Sequence, residues 1–293
     1  MASVLVELNH SAGKNVAKKA GIDYCRAKLT HFPDQDTYLR IPCKVKGKSV
    51  FLLADLGGDP DDILIDVLLA SKSVKKRGAK KVFLIAPYLP YLRQDEEFRK
   101  GEAVAGFIVA EFLSKLLDGI ISVDPHLHRV GSLSGFFSCR TQKLTATGKI
   151  AEHIKAKKGD VVIVGPDVES RQWTDKVAKK AGAESVVAKK TRYSSRKVKV
   201  EIRKGKVNLG GRHVALVDDI ISTGHTILEA VKALKKERVG KIDCYCVHGI
   251  FAEGALKKIR KQGVTVYATN TIMNPVAKID VSDELAKSVR KWA

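Results

Sequence analysis

Aromatic side chains are scarce in this 293-residue chain. They make up 6% of it against 44% apolar residues in all, so its cores must be mostly aliphatic. No apolar run reaches membrane-spanning length, and no membrane segment is expected. The start, Met1-Ala2-Ser3-Val4, has no basic stretch ahead of an apolar one, so no signal peptide is expected. The five cysteines (Cys25, Cys43, Cys139, Cys244 and Cys246) are odd in number and scattered. Cys244 and Cys246 alternate along a strand and share a face, yet two thiols without two further ligands are a weak zinc signal. Reduced thiols in a cytoplasmic protein are the expectation. Acidic residues are also few: 32 against 53 Lys and Arg, a net charge of +21. The lysines cluster at Lys75-Lys76, Lys80-Lys81, Lys157-Lys158, Lys179-Lys180, Lys235-Lys236 and Lys257-Lys258, mostly where helices end and cations suit the dipole. They read as solvated helix ends whose field draws in anionic substrates. No basic run is interleaved with aromatics, so nucleic acid is not an expected partner.

What is present is a repeat. Phe51 to Asp55 is a strand ending in a carboxylate, followed by a turn (Leu56–Asp61), a helix (Asp62–Lys76) and a strand (Lys81–Ala86). Val214 to Asp219, the turn Ile220–Thr226, the helix Ile227–Lys236 and the strand Ile242–Val247 repeat the order. Aligning Asp55 with Asp219 brings Ile63-Leu64 onto Ile227-Leu228. Alternating strands and helices imply βαβ units and mainly parallel sheets flanked by helices. Two similar α/β domains are expected, spanning 1–145 and 146–293.

The second copy carries the chemistry. Asp218-Asp219 ends an apolar strand, and Ser222-Thr223-Gly224-His225-Thr226 leads into a helix. Such a turn aims backbone N–H groups and a helix N-terminus at one small volume, which suits a phosphate. The two aspartates would repel bare phosphate but suit sugar hydroxyls or a bound Mg²⁺. A phosphorylated sugar with a metal nearby is one reading; a strand, an acidic turn and a helix cap is the other. The first copy has Gly58-Asp59-Pro60-Asp61-Asp62 in this place, and three carboxylates and a proline cannot cradle a phosphate.

Five further runs carry candidate chemistry, most of them just past a strand. Tyr88-Leu89-Pro90-Tyr91-Leu92-Arg93-Gln94-Asp95 lies where ligands of α/β sheets bind, and the Arg93 fork matches phosphate oxygens. Phe32-Pro33-Asp34-Gln35-Asp36 reads as a polar turn leading into a strand. Asp124-Pro125-His126-Leu127-His128 offers imidazole and carboxylate to a divalent ion, and Gly165-Pro166-Asp167 ends a buried strand at a carboxylate. Lys189-Lys190-Thr191-Arg192 is basic enough to neutralise a transferring phosphoryl group; charge alone favours a solvated hairpin.

The loop from Asp218 to Thr226 resembles the signature loop of type I phosphoribosyltransferases and of the ribose-phosphate pyrophosphokinase (PRPP synthetase) family. The Tyr88–Glu102 run is similar to the nucleotide segment of the latter, which simple phosphoribosyltransferases lack. With the other runs in family order from about residue 31 to 272, the resemblance implies two tandem phosphoribosyltransferase-like domains with the active site between them. It implies ATP and ribose 5-phosphate as substrates, PRPP and AMP as products, and Mg²⁺ as cofactor. By the same resemblance Phe32, Asp34, Gln35, Asp36, Arg93 and Gln94 hold ATP. Asp218, Asp219, Ser222, Thr223, Gly224, His225, Thr226 and Arg192 hold ribose 5-phosphate. Lys190 and Arg192 are catalytic, with Tyr193 to Gly205 forming the hairpin arm, and His126 and Asp167 serve the metal. Asp36 stands where the family often has Glu, and Val168-Glu169 replaces the usual small residues after Asp167. Members of the family assemble through N-terminal and inter-domain surfaces, so a homo-oligomer is implied. Two rivals are a phosphoribosyltransferase that consumes PRPP and a non-catalytic regulatory homologue.

Overall fold

The structure is a computed structural model. It describes residues 2–157, 159–192, 198–201 and 207–293, and the backbone alone for 190–192 and 198–200. In chain order the first repeat comprises β1 (Ser3–Glu7), α1 (Gly13–Ala20), β2 (Asp23–Arg26), β3 (Lys28–His31), β4 (Thr37–Arg40), β5 (Ser49–Leu53), α2 (Pro60–Lys76), β6 (Lys81–Ile85), α3 (Ala105–Leu116), β7 (Gly119–Val123), β8 (Arg140–Leu144) and α4 (Thr147–Ala156). The second comprises β9 (Val161–Gly165), α5 (Arg171–Ala181), β10 (Glu184–Val187), β11 (Lys189–Arg192), β12 (Val198–Glu201), β13 (His213–Ile221), α6 (His225–Lys236), β14 (Lys241–Gly249), α7 (Ala255–Arg260), β15 (Thr265–Thr269), β16 (Ala277–Ile279) and α8 (Ser282–Trp292).

Each repeat builds a six-stranded sheet, in the order β2-β1-β5-β6-β7-β8 and β10-β9-β13-β14-β15-β16. Advancing every strand number of the first by eight gives the second. All pairs within both sheets are parallel. The central strands are continuous buried runs such as Ser49-Val50-Phe51-Leu52-Leu53, as expected where both faces of a parallel sheet are covered. Each repeat also sets one antiparallel hairpin apart from its sheet, β3–β4 in the first and β11–β12 in the second. Local chemistry places the helix ends. Pro60 opens α2, with Asp61 and Asp62 in its first turn and Lys75 and Lys76 in its last. The helices α1 and α5 stop at Gly21 and Gly182, both left-handed.

The chain divides into two compact units, Met1–Thr145 with Val281–Ala293, and Ala146–Asp280. This corrects the expected second domain of 146–293: its last helix belongs to the first unit. The helix α8 buries Leu285, Ala286, Val289 and Trp292. The Trp292 ring meets Phe83 at 5.1 Å and lies under the Arg140 guanidinium at 4.2 Å. Lys19 pairs with Asp283 at 2.6 Å. The helix that ends the first repeat, α4, does the converse and packs on α5 in the second unit. Among the described residues no helix is long and apolar enough to cross a membrane.

Candidate active site

The strand β13 runs further than the sequence pattern suggests. Ile220 and Ile221 remain in register with His248 and Gly249 of β14, so the turn narrows to Ser222-Thr223-Gly224 and α6 starts at His225 rather than Ile227. Hydrogen bonds from Ile250 and Phe251 N–H to the Ile221 carbonyl, both 3.0 Å, secure the strand's end. Gly224 precedes the helix at φ 75°, a left-handed conformation that costs glycine least. A Cβ there would lie 3.1 Å from that of Ala255 and 3.3 Å from the Ile259 side chain. No side chain caps α6. Its first-turn N–H groups have no acceptor in a preceding turn, an arrangement that suits an anion. Beside them the Thr223 hydroxyl lies 2.9 Å from His225 Nδ1.

Three carboxylates gather at the C-terminal ends of β9 and β13. Asp167 is buried, and its Oδ1 accepts the Ser170 N–H at 3.0 Å while the Ser170 hydroxyl returns to the Asp167 carbonyl at 2.5 Å. That turn forms even with Val168 in place of a small residue, because Val168 points outward, 60% exposed. Asp218 and Asp219 each accept the next backbone N–H, at 3.0 and 2.8 Å. The protein packed around the Asp218 carboxyl, then the charges of Asp219 and Asp167, push its pKa well above the ordinary carboxylate range. Crowded, hard oxygen donors of this kind fit a divalent cation such as Mg²⁺.

In the first unit the hairpin β3–β4 carries Phe32 to Asp36 as its exposed turn. The Phe32 N–H donates to the Asp36 carbonyl at 2.9 Å, Gln35 takes φ 73°, and Phe32 meets Tyr38 edge-on at 5.7 Å. After β6, buried Leu89 and Leu92 anchor the next segment and leave Arg93 and Gln94 exposed. Tyr91 stands at φ 67°, and its hydroxyl donates to Asp61 near the start of α2. The same helix reaches the hairpin. Burial raises the Asp66 pKa, against the lowering effect of its hydrogen bond with Thr37 and of His31. Both exposed segments are thus fastened to α2. Beyond β7, Asp124 takes φ 36°, and the His126 and His128 rings lie 4.1 Å apart.

A family model for the N-terminal domain of ribose phosphate pyrophosphokinase matches residues 3–116, and one for the phosphoribosyl transferase domain matches 142–284. The ribose-phosphate pyrophosphokinase of Methanothermobacter thermautotrophicus is 35% identical over 89% of this chain and 90% of its own. That of Methanopyrus kandleri is 30% identical over 94% of each. The chain belongs to the ribose-phosphate pyrophosphokinase family. The crystal structure of phosphoribosylpyrophosphate synthetase from Mycobacterium smegmatis superposes with a TM-score of 0.83 at 25% identity, covering 99% of this chain and 98% of that one.

Of the residues that the family resemblance implies, the second unit brings Asp167, Asp218, Asp219 and the Ser222–Thr226 segment to the C-terminal ends of the neighbouring strands β9 and β13. The first unit carries Phe32 to Asp36 and Arg93-Gln94 on two segments joined through α2. Lys190 and Arg192 lie on β11, paired with β12, and their side chains are outside the described residues. So are residues 193–197 and 202–205 of the expected hairpin arm. Sequence reading took Asp61 only as a turn carboxylate and missed its partner role, and it missed Asp66, visible only as an acidic residue of a helix, and Arg129, which directly follows His126-Leu127-His128.

Proposed function

We infer that this chain makes PRPP: it transfers the pyrophosphoryl group of ATP to the 1-hydroxyl of ribose 5-phosphate and releases AMP. The sugar hydroxyl attacks the β-phosphorus, and the bond from that phosphorus to the α-phosphate oxygen breaks. The observation that carries this reading is the loop from Asp218 to Thr226. An uncapped helix start beyond a left-handed glycine suits the 5-phosphate, and the neighbouring carboxylates suit ribose hydroxyls. Ser222, Thr223, Gly224, His225 and Thr226 take the phosphate, and Asp218 and Asp219 take the ribose.

Phe32 offers its exposed ring to adenine, Asp34, Gln35 and Asp36 offer polar contacts to the nucleotide, and Arg93 and Gln94 contact its phosphates. Lys190 and Arg192, with Arg192 also near the sugar phosphate, neutralise charge that develops in transfer. Catalysis then rests on in-line positioning and electrostatics rather than on covalent chemistry. His126 and Asp167 are the candidate Mg²⁺ ligands that the family resemblance implies, and the ion would screen the phosphate oxygens. The chain works in the cytoplasm as a homo-oligomer, in keeping with its unpaired thiols and with its family.

Incubation with ATP, Mg²⁺ and ribose 5-phosphate tests the reading. AMP and PRPP should form in equal amounts, and AMP formation should stop when ribose 5-phosphate is omitted. PRPP breakdown with a purine base and no use of ATP would instead select a phosphoribosyltransferase. That rival is disfavoured by the N-terminal match over residues 3–116.

A further inference from the structure

Asp95 is out of keeping with its surroundings. The residues on either side of it, Arg93, Gln94, Glu96, Glu97 and Phe98, are exposed, yet the Asp95 side chain is only 3% exposed. Its partner is Arg129, which comes from the loop after β7 that carries His126 and His128. One Arg129 nitrogen lies 2.9 Å from Asp95 and another 3.1 Å from Glu96, while the guanidinium sits 5.2 Å from the Phe98 ring centroid. A single planar fork therefore engages three residues of one segment. Lysine, with a point charge and no plane, could not do so.

The segment has two fastenings. Its first part is held by Tyr91 on Asp61 and by the Gly106 N–H on the Gln94 carbonyl at 3.0 Å. Its second part, from Asp95 to Phe98, is held by Arg129. We propose that Arg129 is a positioning residue for ATP: it fixes the segment that presents Arg93 and Gln94, and it masks the carboxylates of Asp95 and Glu96, which would repel the triphosphate. The proposal rests on the reading that Arg93 and Gln94 contact ATP. Arg129 itself touches no reacting atom. Removing it leaves Asp95 buried without its cation and unmasks negative charge two and three residues from Arg93.

Steady-state kinetics of Arg129→Ala test this. The KM for ATP should rise about tenfold, the KM for ribose 5-phosphate should stay within about twofold, and kcat should change less than the KM for ATP. Adding Asp95→Asn to Arg129→Ala should recover part of the loss by removing the unmasked charge, an effect that mere loosening of a loop would not produce. Arg129→Lys, which keeps the charge and loses the fork, should fall between wild type and alanine and serves if the alanine variant does not fold. Unchanged KM for ATP, or both KM values rising together, would overturn the proposal. If the wild type forms no AMP, it is the functional reading that fails. Calorimetric titration with ATP then decides on Arg129 alone: weaker binding by the variant supports it, and equal or absent binding by both proteins sinks it.

Discussion

Asn9 and Asp55 are joined by two hydrogen bonds: the Asn9 amide donates to the Asp55 carbonyl at 2.9 Å, and the Asp55 N–H donates to the Asn9 side-chain oxygen at 2.8 Å. The sheet registers place Asn9 and Asp55 two residues beyond the ends of β1 and β5, as Asp167 and Asp219 lie two residues beyond Gly165 and Val217 in the second unit. The two repeats therefore differ by one amide for one carboxylate at the same point. The first unit closes its strand ends on themselves, whereas the second keeps carboxylates crowded together. That crowding holds the Asp218 pKa well above the ordinary carboxylate range, a usual cost of a functional site.

The substitution Asp167→Asn transfers the first unit's solution to the second. It should remove one of the charges that raise the Asp218 pKa and increase the melting temperature by about 2–4 °C without ligand. Turnover should drop about a hundredfold or more if Asp167 serves the metal. Calorimetric melts and an AMP-release assay check the two halves. A variant that is both less stable and fully active would contradict the assignment.

Gly224→Ala sets a Cβ against Ala255 and Ile259 at a left-handed φ. Denaturant titration should show a loss of about 1–3 kcal/mol. The KM for ribose 5-phosphate should rise more than that for ATP, because the start of α6 must shift. A neutral effect on both would show that the phosphate is held elsewhere.

Asp243 is a structural carboxylate far from this chemistry in kind. It is wholly buried at the start of β14, with His213 at 3.1 Å and Lys157 and Lys241 at 3.3 Å. Burial pushes its pKa up, but Lys157, Lys241 and His213 outweigh burial and hold it below the usual 3.8. A carboxylate depressed on folding contributes stability that is present above the unfolded pKa and lost as pH falls through the folded one. Asp243→Asn should therefore lower stability by about 3 kcal/mol at pH 7, since it breaks a buried ion pair. The difference from wild type should persist at pH 5 and close below about pH 3.8. A constant difference across that range would rule out charge as its source.

Much of the candidate site was legible because its signals are local. A strand ending in Asp218-Asp219, a glycine turn and a helical period lie within a few residues, and their order is enough to propose a phosphate loop. The length of β13 was not legible: Ile220 and Ile221 stay in the strand only because β14 runs on beside them through His248 and Gly249. The expected turn at Phe32–Asp36 proved to be the tip of a hairpin, since Lys28–His31 alternates too weakly to announce a strand before it pairs. Arg129 and Asp95 are 34 residues apart, and nothing in either segment alone foretells the ion pair.

By itself the sequence determined the duplication, the parallel α/β architecture and which copy carries the glycine turn between a strand and a helix. These follow from period, strand composition and turn chemistry, all of which act over short stretches of chain. Tertiary structure decided which unit receives each terminal helix and which carboxylates are paired, masked or left crowded. An amphipathic helix such as α8 specifies an apolar face but not the surface that will cover it. A carboxylate's energy depends on neighbours that only folding supplies.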